Sequence, residues 1–184
     1  TVSSAEMSEH ADGEEIVIGG IIANLKPSVT KRGDPMMYIT LEDMKGAAEC
    51  VIFGKEMKSC QSLLNIDEIV FVKGQIGFQS TAPSVRIKEI IAEKDALKRL
   101  TKCITLRYEG ACFDETKFMQ LREIIRKHSG TCPLFFEIST PEQTSTVIKS
   151  SSQYFVLVTD DFISCIKELF GPAALRLNQK EMLA

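Results

Sequence analysis

The chain has 184 residues, 44% of them hydrophobic and 26% charged, with 22 Lys and Arg against 25 Asp and Glu for a formal charge of -3. That length suits one or two compact domains, and no apolar run approaches the roughly 20 residues of a membrane span. The start, TVSSAEMSEHADGEE, is polar and unlike a signal peptide, so a cytoplasmic location is expected, and a first residue of Thr1 rather than Met reads as a fragment.

Residues 1–15 carry five acids (Glu6, Glu9, Asp12, Glu14, Glu15) and no Lys or Arg, and read as an acidic linker. Residues 16–25 (IVIGGIIANL) form an almost unbroken apolar run, with Gly19 and Gly20 at the place where one long strand would bend to serve two sheets. A loop with Lys26, Lys31, Arg32 and Gly33 follows. Tyr38, Ile39, Thr40 and Leu41 are β-formers, residues 42–46 supply a turn, and residues 47–53 (AAECVIF) are a second apolar run ending in an aromatic. In residues 54–64, Met57, Cys60, Leu63 and Leu64 recur at the spacing of one face of a short helix. Residues 69–78 (IVFVKGQIGF) and 85–92 (VRIKEIIA) read as two further strands. Three strands, a helix and two strands is the order of the OB-fold, a five-stranded barrel that binds oligonucleotides on one strand face and the flanking loops. Residues 16–94 are therefore expected to form a nucleic-acid-binding barrel.

Strand alternation nominates its contact residues. With Val85 and Ile87 pointing inward, Arg86 and Lys88 point outward; Val70 and Val72 oppose Phe71 and Lys73, and Ile39 and Leu41 oppose Tyr38 and Thr40. The expected single-strand site is thus Lys26, Lys31, Arg32, Tyr38, Phe71, Lys73, Arg86 and Lys88. Phe71 also reads as a core residue packed beneath the 54–64 helix. Residues 16–94 hold ten Lys or Arg against nine Asp or Glu. Phosphate affinity comes largely from counterion release by such cations, so weak, salt-sensitive contact with a single strand is expected.

From about Asp95 the period changes. Residues 103–108 alternate as a strand, and residues 114–128 place Phe118, Leu121, Ile124 and Ile125 at helical spacing behind an Asp114 N-cap. Residues 132–138, 145–149 and 154–158 read as strands, and residues 161–170 as a helix ended by Gly171 and Pro172. Residues 95–184 are expected to be a small α/β sandwich, giving a mixed β and α/β chain.

Nothing in the pattern announces catalysis or a metal. The six cysteines show no Cys-x-x-Cys pair and sit among apolar neighbours, as small buried hydrophobes in a reducing compartment would. His128 stands at a helix end, suited to the dipole there. Asp34, Glu42, Asp43, Asp160 and Asp161 fall in turns and caps, not in the converging cluster that a two-metal catalytic site needs. No cofactor is expected.

TKRGDPMMYITLEDMKGAAECVIFGKEM, followed by DEIVFVKGQI, resembles the OB domain near the carboxyl end of the bacterial replicative DNA polymerase III alpha subunit. RLTKCITLRYEG, LREIIRKHSG, CPLFFEI and CIKELFGPAALRL look like that subunit's final domain. The resemblance implies a non-catalytic segment of a DNA-directed DNA polymerase, monomeric within a larger complex, that meets single-stranded DNA through its barrel and the tau subunit through its last domain. Residues 179–183 (QKEML) loosely match the short peptides by which polymerases dock on the sliding clamp, with Gln179, Met182 and Leu183 as the contacts; the same residues read equally as a plain chain end. Two other readings stand beside this one. The near-neutral barrel is compatible with a protein-interaction module that no longer binds DNA, and an aminoacyl-tRNA synthetase anticodon barrel would share the strand order but carry a large catalytic domain after it.

Overall fold

The computed structural model describes residues 1–78, 82–109, 114–139 and 145–178. The chain divides into two units, Thr1–Ala96 and Leu97–Ala184.

In the first unit, β1 (Glu15–Val29), β2 (Pro35–Asp43), β3 (Gly46–Phe53), β4 (Ile69–Gly77) and β5 (Ser84–Ala92) close a barrel in the order β1-β2-β3-β5-β4. The long β1 makes closure possible. Its first half pairs with β4 and its second half with β2, and Ile21 lies opposite both Ile69 and Glu42. The crossover needs Gly20, because a Cβ there would come within 2.6 Å of the Glu42 carbonyl oxygen. A β-bulge between Ile22 and Asn24 then turns the strand toward its second partner. Alternate residues of all five strands, among them Ile18, Ile39, Cys50, Val72 and Val85, fill the interior and are almost wholly buried. The helix expected over residues 54–64 is α1 (Gly54–Ser59) with a 3-10 turn, Gln61–Leu63, and its Met57, Cys60, Leu63 and Leu64 all pack on the core.

The acidic start is not a linker. Ser4–Glu9 forms a 3-10 turn beside the β2–β3 connection, Val2 bridges Ile18, and the Met7 side chain enters the barrel core at 1% exposure. Met7 is the apolar anchor of an acidic segment, which composition alone hides.

Helix α2 (Glu93–Leu100), a polar segment, follows β5 directly. The second unit has a four-stranded sheet in the order β10-β6-β8-β9, formed by β6 (Ile104–Glu109), β8 (Leu134–Ser139), β9 (Ser145–Lys149) and β10 (Leu175–Leu177), with β6 and β8 parallel. Helices α3 (Glu115–Lys127) and α4 (Asp160–Phe170) contribute Leu121, Ile125, Phe162 and Ile166 to one core with Ile104, Leu106 and Leu134. Asp114 caps α3 as expected, its carboxylate accepting from Lys117 N at 3.1 Å. Two expectations need correction. Residues 154–158 alternate because Val156 and Val158 are buried, but they form no ladder strand: Val156 makes isolated bridges to Ser129 and Cys132. Cys132 closes a separate short strand, β7 (Ser129–Cys132), rather than opening β8.

Candidate nucleic-acid interface

Residues 30–34 join β1 to β2 in a tight hairpin turn. Thr30 N donates to the Asp34 carbonyl at 2.8 Å and Gly33 N to the Thr30 carbonyl at 2.9 Å, while Thr30 Oγ1 accepts from Arg32 N and Asp34 N at 3.3 and 3.1 Å. Gly33 takes a φ of +84°, the left-handed position that closes a three-residue hairpin loop. Thr30 and Gly33 thus fix the backbone, and Lys31 and Arg32 form an exposed tip.

Strand register extends this tip into a row of side chains on the barrel's outside. Lys26 lies opposite Tyr38, Tyr38 opposite Val51, and Val51 opposite Arg86. Their chain neighbours Ile39, Cys50 and Val85 are buried in the core, so this row faces outward. Phe53, two residues beyond Val51, shares the face, and the Arg86 guanidinium carbon stands 5.1 Å from its ring centroid. Phe53 was absent from the expected site although the sequence held the signal for it, since it lies in phase with the outward residues of β3.

The face is polarised along its strands. Beyond the Tyr38 row come Thr40 opposite Glu49, then Glu42 and Asp43 at the β2–β3 turn. Asp43 accepts from Ser4 N and Ser4 Oγ at 2.7 Å, from Lys45 N at 2.8 Å and from Gly46 N at 2.9 Å. These bonds, those from Ser4 foremost, hold its carboxyl down at about 2. The turn end is therefore anionic, whereas at the loop end Lys26 lies beside Tyr38, Arg86 stands over Phe53, and Lys31 and Arg32 occupy the exposed tip of the adjoining turn with Asp34.

Phe71, Lys73 and Lys88 lie on a different part of the wall. Phe71 points outward on β4 opposite Gly19, and its ring fills the space in which a Gly19 Cβ would sit 2.7 Å away. Lys88 forms an ion pair with Glu15, whose carboxyl is held below its usual range by the hydrogen bond and charge of Lys88 and by the charge of Lys73. These two lysines share the one acid Glu15, whereas at the loop end Lys26 and Arg86 stand beside Tyr38 and Phe53. The eight expected residues thus divide into five at the loop end, two lysines near Glu15, and Phe71 against Gly19. Gln179, Met182 and Leu183 lie outside the described residues.

Residues 16–92, the span of the barrel, match the family described as OB-fold nucleic acid binding domain. Over 156 residues, 84% of this chain, the sequence is 27% identical to the DNA polymerase III subunit alpha of Pseudomonas fluorescens. Over 165 residues, 89% of this chain, it is 24% identical to the protein of the same name from Pseudomonas aeruginosa. The chain resembles DNA polymerase III subunit alpha. It spans 13% and 14% of the length of these two relatives. A match of 165 residues is longer than either structural unit, so the similarity to DNA polymerase III subunit alpha runs through both. Among solved structures, the second OB-fold domain of replication protein A from Methanococcus maripaludis aligns with 47% of this chain and 91% of its own, at 14% identity and a TM-score of 0.38.

Proposed function

We propose that this chain is a non-catalytic C-terminal segment of a replicative DNA polymerase whose barrel holds single-stranded template on the loop end of its β1–β2–β3 face. The observation that carries the reading is the join of a stacking surface to a cationic loop: Tyr38 and Phe53 lie in adjacent rows, Arg86 stands over Phe53, and Lys26, Lys31 and Arg32 border them. Bases stack on aromatic rings without regard to sequence, and the surrounding cations track the phosphates, which suits a template that must pass through in any sequence. Four cations set the scale of the electrostatic part. For a single strand they give a slope of log affinity against log salt of roughly -3 at most, a weak and salt-sensitive grip.

The second unit recruits replisome partners in this reading. The tau subunit comes with the resemblance, and the sliding clamp is assigned to Gln179, Met182 and Leu183.

One specific observation favours a second reading, in which the barrel binds protein alone: residues 16–94 carry only one more basic than acidic residue. Fluorescence anisotropy of a labelled single strand at two salt concentrations separates the two. The template reading expects binding at low salt that falls with added salt and falls further when Lys31 and Arg32 are both replaced by Ala. Absence of binding at low salt would overturn the template reading and favour the protein-only one.

A further inference from the structure

The second unit brings together three metal-ligating side chains that lie far apart in sequence. His128 is the C-cap residue of α3, while Asp161 and Cys165 stand one turn apart near the start of α4. Their donor atoms all lie within 4.8 Å of one another.

His128 supplies the independent sign that something belongs there. Its side chain is only 9% exposed, its ring meets the edge of Phe162 at 5.6 Å, and its Nε2 is buried without a hydrogen-bond partner among the described residues. That nitrogen lies 3.3 Å from Asp161 Oδ2, yet out of line for a hydrogen bond. A buried imidazole nitrogen left unsatisfied is unfavourable, and the groups it faces are a carboxylate and a thiol.

We propose that His128, Asp161 and Cys165 bind a zinc-class divalent cation that pins the end of α3 to the start of α4. Imidazole nitrogen, carboxylate oxygen and thiolate sulfur are the ligand types zinc takes, at about 2.0–2.3 Å, which separates donors in a tetrahedral site by roughly 3.3–3.6 Å. The two ligands that would move to contract the cluster, Asp161 and Cys165, are less buried than His128. Asp161 is 61% exposed, so its side of the site is open to a water as fourth ligand. Binding releases the Cys165 thiol proton to solvent and displaces the Lys127 ammonium, which lies 3.1 Å from the same Asp161 oxygen.

The test titrates the reduced full chain with cobalt(II) and, in competition with a chromophoric chelator, with zinc(II). The expected result is a thiolate-to-cobalt charge-transfer band saturating at about one equivalent and lost in Cys165→Ala, together with zinc affinity at least about tenfold weaker in Asp161→Asn and His128→Gln. Cys165→Ala and Asp161→Asn lie at partly exposed positions and keep the test decisive if His128→Gln fails to fold. No saturable band in the parent, a band that survives Cys165→Ala, or zinc affinity unchanged in Asp161→Asn would overturn the proposal.

Discussion

Arg86 stands over the ring of Phe53 at 5.1 Å, two residues from different strands that together make a charged, flat surface beside the β1–β2 loop. A cation held against one face of a ring leaves the rest of that surface for a base, and stacking of this kind contributes about 1–3 kcal/mol per base. Replacing Phe53 with Ala should therefore weaken single-strand binding by roughly 5- to 150-fold. Phe53→Leu, which keeps apolar bulk but removes the ring, should lose most of the same affinity while its urea midpoint stays nearer that of the parent. Anisotropy and denaturation of both variants check this.

Lys31 and Arg32 are set at the loop tip by Thr30 and Gly33, and Arg32 enters the turn's bonds through its backbone N, which an alanine keeps. Their joint replacement by Ala should make the salt slope of binding less negative by about 1.4, from two lost contacts at roughly 0.7 each, and leave thermal stability almost unchanged. Affinity measured across a salt series gives the slope directly.

Gly20 sits where β1 passes from β4 to β2. Gly20→Ala places a Cβ 2.6 Å from a backbone oxygen that belongs to a paired strand and cannot rotate away. A loss of about 1–3 kcal/mol in urea unfolding is expected. Gly77→Ala, with nothing among the described residues within 4 Å of the new carbon, should lose far less.

The N-terminal segment ties its stability to pH. Asp43 is held at about 2 against an ordinary 3.8, by Ser4 before all else, and Glu6 at about 2 against 4.5, by bonds from Ser3 and then from Lys45. Both values are depressed in the folded chain, so the stabilising contribution is complete above the ordinary carboxylate range and disappears as pH falls toward 2. Asp43→Asn should be less stable than the parent at pH 7, with the difference shrinking below about pH 4. Urea midpoints of the two proteins at several pH values test the convergence.

Much of this was legible in the sequence, because strand alternation is a local property. Alternation alone points Ile39, Val72, Val85 and Ile87 inward, and all four are buried; β9 occupies residues 145–149 as expected. What stayed hidden depends on distant partners. Residues 154–158 alternate like a strand, but only a neighbouring ladder makes a strand. Phe71 and Lys88 point outward as read, yet Gly19 and Glu15, more than 50 residues earlier, decide what each of them meets. His128 stood alone in the sequence and meets Asp161 and Cys165 only when α3 and α4 pack together.

The most direct test of the template face is a two-dimensional amide NMR titration of the chain with an unlabelled oligonucleotide single strand at low salt. The account predicts that the largest shifts fall on Lys26, Lys31, Arg32, Tyr38, Val51, Phe53 and Arg86, with Phe71, Lys73 and Lys88 little changed. Shifts concentrated on Phe71, Lys73 and Lys88, or none on the barrel at all, would contradict it.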